Sequence, residues 1–348
     1  HGLAKYLQRL LSMKPFWATC EATAAFVHNY APIGEGQCGT IYALRNAHDV
    51  AKVAKEDKVP SLKQDRRTHE RVLATFNNLD KTIVKPAINI PHLVTWIEPE
   101  DWAWWDAQGV ADHERAICPA ISSHSLTTSR IHPLSESARE ALLDYFAPPQ
   151  LKSEPARSTE LAKEKNKDCL IRVYLGRRQP RSPFAMFKLR NFDLMVNEME
   201  DLGLDTAVYA VTMARTLAIL HWGVGTDGND IESVLGMALQ SSQVCDLPDV
   251  GDAALPTQQA MAMWLLNSNQ CAFFEHDKAG LKQLVDAFFW NDPYYPRPNS
   301  KNPRDEALWE VFKKAYLEMS GQVAAVNMAH DFVNAVEGHK PSVASLFS

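Results

Sequence analysis

The feature that most constrains this chain is the run I-G-E-G-Q-C-G-T-I-Y from Ile33 to Tyr42. Gly34, Gly36 and Gly39 spell G-x-G-x-x-G, and a backbone stripped of Cβ atoms can close over a phosphate or another compact group. The neighbouring residues give the pattern its meaning. Thr40 to Leu44 and Val50 to Ala54 are β-prone runs on either side of a turn-like Arg45 to Asp49, so the glycines lead into a hairpin. In a dinucleotide fold they would come after a strand and open a helix. A polar run from Leu62 to Phe76 then has helical character, and V-A-K-V-A-K places Lys52, with Lys55 in reserve, on the second strand of the hairpin. Glu70 lies 18 residues beyond Lys52 and is the expected carboxylate partner on that helix, with Asp65 in reserve. The bland alternative is a tight hairpin shaped by glycines with Lys52 in solvent.

Glycine turn, strand, lysine-bearing strand and helix is the order of a protein kinase, in which the lysine neutralises phosphates and the helical carboxylate holds the lysine. The expected fold is therefore α+β, a two-lobed protein-kinase-like fold with a small β-rich N-lobe (residues 1–133) and a larger helical C-lobe (residues 134–348). The catalytic segment departs from that scheme. After the clearest helix, Thr206 to Leu220, the chain reads L-H-W-G-V-G-T-D-G-N-D-I-E-S-V-L-G. A kinase base aspartate would stand two residues after His221, where this chain has Gly223. The strand Met261 to Leu266 ends in Asn267-Ser268-Asn269 where a metal-binding aspartate would fall, and an amide is a poor ligand for magnesium. Loss of both groups argues against ordinary phosphotransfer. Asp227, Asp230, Glu232 and His221 remain as candidate acid, base or cation-gripping groups; loop capping and surface acids are the bland reading.

Further strands are expected over Leu126 to Ile131, Cys169 to Leu175 and Ala185 to Leu189. Helices are expected over Ser135 to Phe146, Lys278 to Phe289, Asp305 to Met319 and part of Ala324 to Val336. Loops are expected over Gly236 to Pro256 and, as a polar mobile insert, over residues 148–167. The tryptophans Trp96, Trp102, Trp104 and Trp105 read as packing under a loop or as a stacking platform for a base. The net charge is −6, yet Leu151 to Arg190 carries +7, leaving −13 on the rest. Such a basic segment either tracks a phosphate backbone or is a solvated insert. Cys20, Cys38, Cys118, Cys169, Cys245 and Cys271 show neither C-x-x-C nor zinc-ligand spacing, so reduced thiols and no structural metal are expected. With 46% apolar residues and no uninterrupted apolar span of membrane length, a soluble cytoplasmic protein is expected.

Four strings are distinctive: N-K-D-C-L-I-R-V-Y-L-G, F-K-L-R-N-F, the His221 segment, and N-D-P-Y-Y-P-R-P. Through them most of the chain resembles a fungal family, often described as hypothetical or zinc-finger proteins, that includes the arginine-containing cyclodipeptide synthases. The chain departs from that family's pattern at Ser233, where an aromatic residue is usual, and at Asn267-Ser268, where Asp-Phe is usual. The resemblance implies a synthase that joins arginine to a second amino acid from aminoacyl-tRNA, including arginyl-tRNA, with no cofactor. Because an aminoacyl ester is already activated, such an enzyme has no need of ATP. It implies Asp227, Asp230, Glu232 and His221 as catalytic and guanidinium-binding groups. Gly34, Gly36, Gly39, Lys52, Glu70, Arg190 and Asn191 would line the substrate pocket, and Arg177, Arg178, Arg181 and Lys188 would contact RNA. An ATP-dependent kinase-like phosphotransferase and an inactive pseudokinase-like binding module are the rival expectations.

Overall fold

The computed structural model describes residues 2–13, 30–45, 48–110, 122–181, 186–240, 258–324 and 327–339. The glycine run forms strands β1 (Ala31–Glu35) and β2 (Gly39–Ala43), and the turn between them is closed by the Gly36 amide donating to the Gly39 carbonyl at 2.9 Å. The third strand, β3 (Asp49–Ala54), pairs antiparallel with β2 so that Lys52 lies opposite Ile41. Gly39 permits this pairing, because a Cβ there would stand 2.3 Å from the Val53 carbonyl oxygen. Helix α1 (Gly2–Leu11) precedes the sheet, and α2 (Val59–Asn77) follows β3, with proline in its first turn where no amide bond is lost. After a two-residue strand β4 (Ile88–Asn89), strand β5 (Leu93–Ile97), helix α3 (Trp102–Ala107) and strand β6 (Ser125–Ser129) complete the first unit. Its five-stranded sheet is antiparallel throughout, in the order β1-β2-β3-β6-β5.

The second sheet has the order β4-β10-β9-β7-β8 and is mixed. Strands β7 (Ile171–Tyr174) and β8 (Phe192–Met195) are parallel, β9 (Glu232–Gln240) and β10 (Gln258–Leu266) form a long antiparallel pair, and β4 runs parallel to β10. Around it lie α4 (Glu136–Phe146), α5 (Ala156–Ala162), α6 (Glu164–Lys167), α7 (Val196–Asp201), α8 (Thr206–Ala218), α9 (Lys278–Trp290), α10 (Pro303–Val323) and α11 (Met328–Gly338). The described residues thus form a mixed α+β structure with two five-stranded sheets.

The larger core gathers Leu217 of α8, Leu235 of β9, Met263 of β10 and the aromatic rings of Phe288, Trp309, Phe312 and Phe332. The smaller core under the first sheet is built on Ala51, Val53, Ile97 and the fully buried Trp105. Thr206–Val224 is, among the described residues, the one helical stretch long and apolar enough to cross a membrane, and 72% of it is buried inside the protein. Its apolar surface is therefore already occupied by the larger core.

Several expectations need correction. Helix α1 sits within the expected N-lobe by sequence, but Leu7 and Leu11 are buried in the larger core, and the Tyr209 hydroxyl donates to the Leu11 carbonyl at 2.6 Å. Strand β4 likewise joins the second sheet. Residues 186–189, expected as strand, are irregular; the strand begins at Phe192 because Asn166 takes the Leu189 amide as a side-chain hydrogen bond at 3.2 Å. The expected loop from Gly236 is the second half of β9 as far as Gln240, and residues 241–257 lie outside the described residues. The expected mobile insert, residues 148–167, is a 3-10 turn and two short helices tied to α4 by Arg157 on Asp144 at 2.8 Å. Cys38, Cys169 and Cys271 are buried free thiols; Cys20, Cys118 and Cys245 lie outside the described residues.

The link from the first sheet to α4 passes close over β9, where Gly236 leaves room: a Cβ there would meet the Ile131 Cγ2 methyl at 2.4 Å and the His132 carbonyl oxygen at 3.1 Å. Gly236→Val should lower stability by about 1 to 3 kcal/mol through overpacking, read as a lower urea midpoint at unchanged m-value.

Candidate functional site

A cavity of about 270 Å³ opens between the first sheet and the ends of β7, β8, β9 and β10. Ile33, Val50 and Leu126 face it from the first sheet, and Leu170, Ile231 and Leu265 face it from the larger body. Such an apolar slot with polar groups at one end suits a small organic ligand. The polar end is built from charged side chains that α2, β7 and the segments flanking β8 to β10 bring together.

Lys52 reaches Asp65 of α2, Nζ to Oδ2 at 2.7 Å, and the Ser268 hydroxyl donates to the other Asp65 oxygen at 2.7 Å. Glu70, the first expected partner, pairs instead with Arg66 at 2.7 Å on the solvent side. The reason is angular. Leu62, Asp65, His69, Val72 and Phe76 recur at three- and four-residue steps and form the inward stripe, whereas Glu70 stands five residues from Asp65, about 140° further around the helix. That periodicity was the available signal for Asp65. Burial also holds the His69 imidazole below its ordinary pKa.

Glu232 begins β9 and takes a hydrogen bond from the Arg172 guanidinium of β7 at 2.9 Å. Burial pushes its pKa above the ordinary carboxylate range, outweighing the pull of Arg172, and the nearby Asp230 charge adds to the rise. Asp230 has a left-handed backbone (φ 62°), and its Oδ2 accepts from Asn267 Nδ2 at 2.6 Å and from Gln270 Nε2 at 2.9 Å. Gln270 also donates to Gln37 Oε1 in the glycine turn at 2.9 Å, so the loop after β10 grips both Asp230 and the turn above it. Burial raises the Asp230 pKa as well, opposed by these two amides.

Arg190 and Asn191 (φ 48°) complete the rim; a Cβ on Gly34 would stand 3.5 Å from Arg190 Nη2, so the guanidinium lies against β1. Arg130 and Asp168, paired at 2.6 Å, also line the cavity and were not expected there.

Of the expected site residues, Gly34, Gly36, Lys52, Arg190, Asn191 and Glu232 share this cavity, and Asp230 stands beside it. Four others are placed elsewhere. Gly39 serves the β2–β3 approach, and Glu70 is on the surface. Asp227, 5% exposed, accepts from the Asn229 and Ala272 amides at 3.0 Å each and from Gln283 Nε2 at 2.8 Å, which spends both oxygens on pinning the loop. His221, 1% exposed, packs among Trp222, Phe274, Tyr316 and Phe332, with Nδ1 at 2.8 Å from the Tyr316 hydroxyl. Neither has the access that acid–base chemistry requires.

The basic segment is largely neutralised within the fold. Arg178 pairs with Glu200 at 2.7 Å and Asp305 at 2.8 Å, and Arg181 with Glu198 at 2.9 Å. Arg157, Lys163, Lys167 and Arg172 also have carboxylate partners. Of the expected RNA contacts, only Arg177 and Lys188 are exposed.

Residues 263–328 match the family model DUF3669, described as a zinc finger protein. No curated protein and no solved structure matches the chain. The described residues do not fit zinc: the matched stretch holds one cysteine, Cys271, and one histidine, His276, where a finger needs four ligands. Cys271 is buried, its thiol pKa pushed up by that burial. Among the described residues no group of three or more His, Cys, Asp or Glu side chains is placed to hold a metal.

Two measurements check this geometry. Asp65→Ala, which strands a mostly buried Lys52, should cost about 3 kcal/mol, whereas Glu70→Ala should cost less than about 0.5 kcal/mol; equal losses in chemical denaturation would remove Asp65 as the lysine's partner. The second concerns His221, whose pKa burial lowers from 6.5 to about 3. The unfolded chain then binds a proton that the folded chain refuses. Its contribution to stability is complete above pH 6.5 and is lost as pH falls toward 3, at up to about 1.4 kcal/mol per pH unit. His221→Asn should flatten the stability profile across that window by up to one proton.

Proposed function

We propose that this protein is an aminoacyl-tRNA-dependent cyclodipeptide synthase, built on a two-lobed kinase-like frame, that joins arginine to a second amino acid. Support for the frame comes from the antiparallel order β1-β2-β3-β6-β5, the helix after the third strand, and the lysine of that strand paired with a carboxylate on that helix. The observation that carries the reading is the end of β10 beside Lys52. Lys52 is held by Asp65 and Asp65 by Ser268, while Asn267, which stands where a phosphotransferase would keep a metal-binding acid, is an amide that donates to Asp230 at 2.6 Å. The frame that would position a triphosphate is thus present, but the acid that would hold magnesium is the amide of Asn267 and the catalytic base is replaced by Gly223.

An aminoacyl ester needs neither group. The α-amine of one aminoacyl group attacks the ester carbonyl of the other, and the tRNA terminal oxygen leaves with a proton. The second amine then attacks the remaining ester and closes the ring. Two ester bonds break and two amide bonds form, with no other reactant. The chemical requirement is an acceptor for the ammonium proton beside the ester. Glu232 suits this role: it lines the cavity, and its raised pKa brings it closer to that of an α-amine near 8. Arg172 fixes the carboxylate in place, and the apolar slot excludes water that would hydrolyse the ester.

Incubation with arginyl-tRNA and a mixture of other aminoacyl-tRNAs should yield an arginine-containing cyclic dipeptide by mass spectrometry. Glu232→Gln should lower its formation about 100-fold or more with the melting temperature retained. A folded protein that makes no cyclic dipeptide from any aminoacyl-tRNA pair sinks the reading. Phosphotransfer is the competing reading, favoured by the same Lys52–Asp65 pair; a thermal shift produced only by magnesium-ATP and abolished in Lys52→Ala would replace the synthase with it.

A further inference from the structure

Helix α2 turns Asp65, His69 and Val72 toward the cavity, and its opposite side carries Lys63, Arg67 and Arg71. These three exposed residues are spaced by four and so stack into one stripe, with charges about 6 Å apart along the axis. That step is comparable to the separation of successive phosphates in a nucleic acid strand. Among the described residues no carboxylate lies within ion-pair distance of any of the three, whereas Arg66 beside them is paired with Glu70. Like charges four residues apart repel one another on a helix, so the row is a local cost that a polyanion would remove.

Two aromatic rings from distant parts of the chain flank the stripe. Trp96 of β5 has Lys63 Nζ at 5.9 Å and Arg66 Cζ at 6.0 Å from its ring centroid. Phe273, which lies beyond the end of β10 and is 44% exposed, has Arg71 Cζ at 4.5 Å from its centroid. Cations in a row between a half-buried ring, Trp96, and an exposed one, Phe273, are an arrangement suited to a single strand of RNA, through phosphates and unstacked bases. The contrast with residues 151–190 is physical: six of the eleven cations in that segment are paired with carboxylates, several of them brought by other elements. Among the described residues, Glu70 is engaged by Arg66 and Glu98 by the Trp96 indole nitrogen at 2.9 Å.

We infer that the outer face of α2 is an RNA-docking surface, with Lys63, Arg67 and Arg71 on the phosphate backbone and Trp96 and Phe273 offering rings to bases. The inference rests on the reading in which tRNA delivers the aminoacyl groups, and it places the RNA on the helix whose inner face forms a wall of the cavity. It moves the RNA contact away from Arg178 and Arg181.

The test measures binding without chemistry. Fluorescence anisotropy with a labelled, unacylated arginine-accepting tRNA is recorded over a series of salt concentrations. The Lys63→Gln, Arg67→Gln, Arg71→Gln triple variant should bind at least about tenfold more weakly, and its slope of log affinity against log salt should fall by about 2 to 3. Trp96→Ala should weaken binding roughly tenfold at unchanged slope. A control pair on other helices, Lys282→Gln with Lys314→Gln, should bind like the native chain. Native affinity and slope in the triple variant overturn the assignment, as does an equal loss in the control. An acidic polypeptide that binds the native protein as tightly as the tRNA overturns it in favour of a protein dock. Because the probe carries no amino acid, the two failures separate: loss of RNA binding in the triple variant keeps the surface even if no cyclic dipeptide forms. A triple variant that binds tRNA normally and makes product removes the surface alone.

Discussion

The arrangement depends on one buried charge pair with a third member. Lys52 comes from the first sheet, Asp65 from α2 and Ser268 from the end of β10, so three separate elements meet at a single carboxylate. Taking a lysine and an aspartate out of water is costly, and their mutual attraction offsets that cost only with good geometry and with the remaining oxygen satisfied. Ser268 supplies that last bond. A small shift of α2 or of β10 would leave a buried oxygen without a donor, so the pair adds little net stability but fixes where the first sheet stands over the larger body. The size of the cavity is set by that position.

The same logic governs the loop below. Asp230 adopts a left-handed backbone, which costs energy for a residue with a side chain, and the strain is held by Asn291 on its amide at 2.7 Å and by Asn267 and Gln270 on its carboxylate. Asp227 performs the neighbouring task with amide donors. Both acids look alike as letters in T-D-G-N-D-I-E, and only Glu232, already within a strand that points toward β7, meets a guanidinium and the cavity. One acid is spent on shaping the loop, one on tying it to the glycine turn, and one is left beside the ligand space.

Most of the elements were legible because their signals are local. The apolar stripe of α2, the β-branched runs of β2 and β3, the Ser135 cap of α4 and the long apolar α8 each declare themselves within a few turns or pleats. The elements that differ from expectation share another cause. Strand β8 is displaced because Asn166, twenty-three residues earlier, captures the Leu189 amide. Helix α1 belongs to the first unit by its place in the chain, whereas burial of Leu7 and Leu11 assigns it to the larger core. The site was legible in its glycines, Lys52, Arg190, Asn191 and Glu232. Choosing Asp65 over Glu70 required the helical angle to outrank the sequence distance. His221 and Asp227 were not separable by sequence from the groups that line the cavity, because a residue type suited to chemistry is equally suited to filling or pinning a core, and exposure alone divides the two.

Charge illustrates the difference between composition and electrostatics most sharply. A segment of +7 in a chain of −6 invites an electrostatic role, yet a folded chain brings its own acids to it: Glu198 and Glu200 come from α7 and Asp305 from α10. Field at a surface arises from charges left over after such pairing, and it falls within about 10 Å in salt. The cations left over in the basic run are scattered along it, whereas the three on the α2 stripe stack on one helix face. Among the described residues the inner face of α2 is charge-balanced and its outer stripe is not, and both belong to the same turns that hold Asp65 against Lys52 and Ser268.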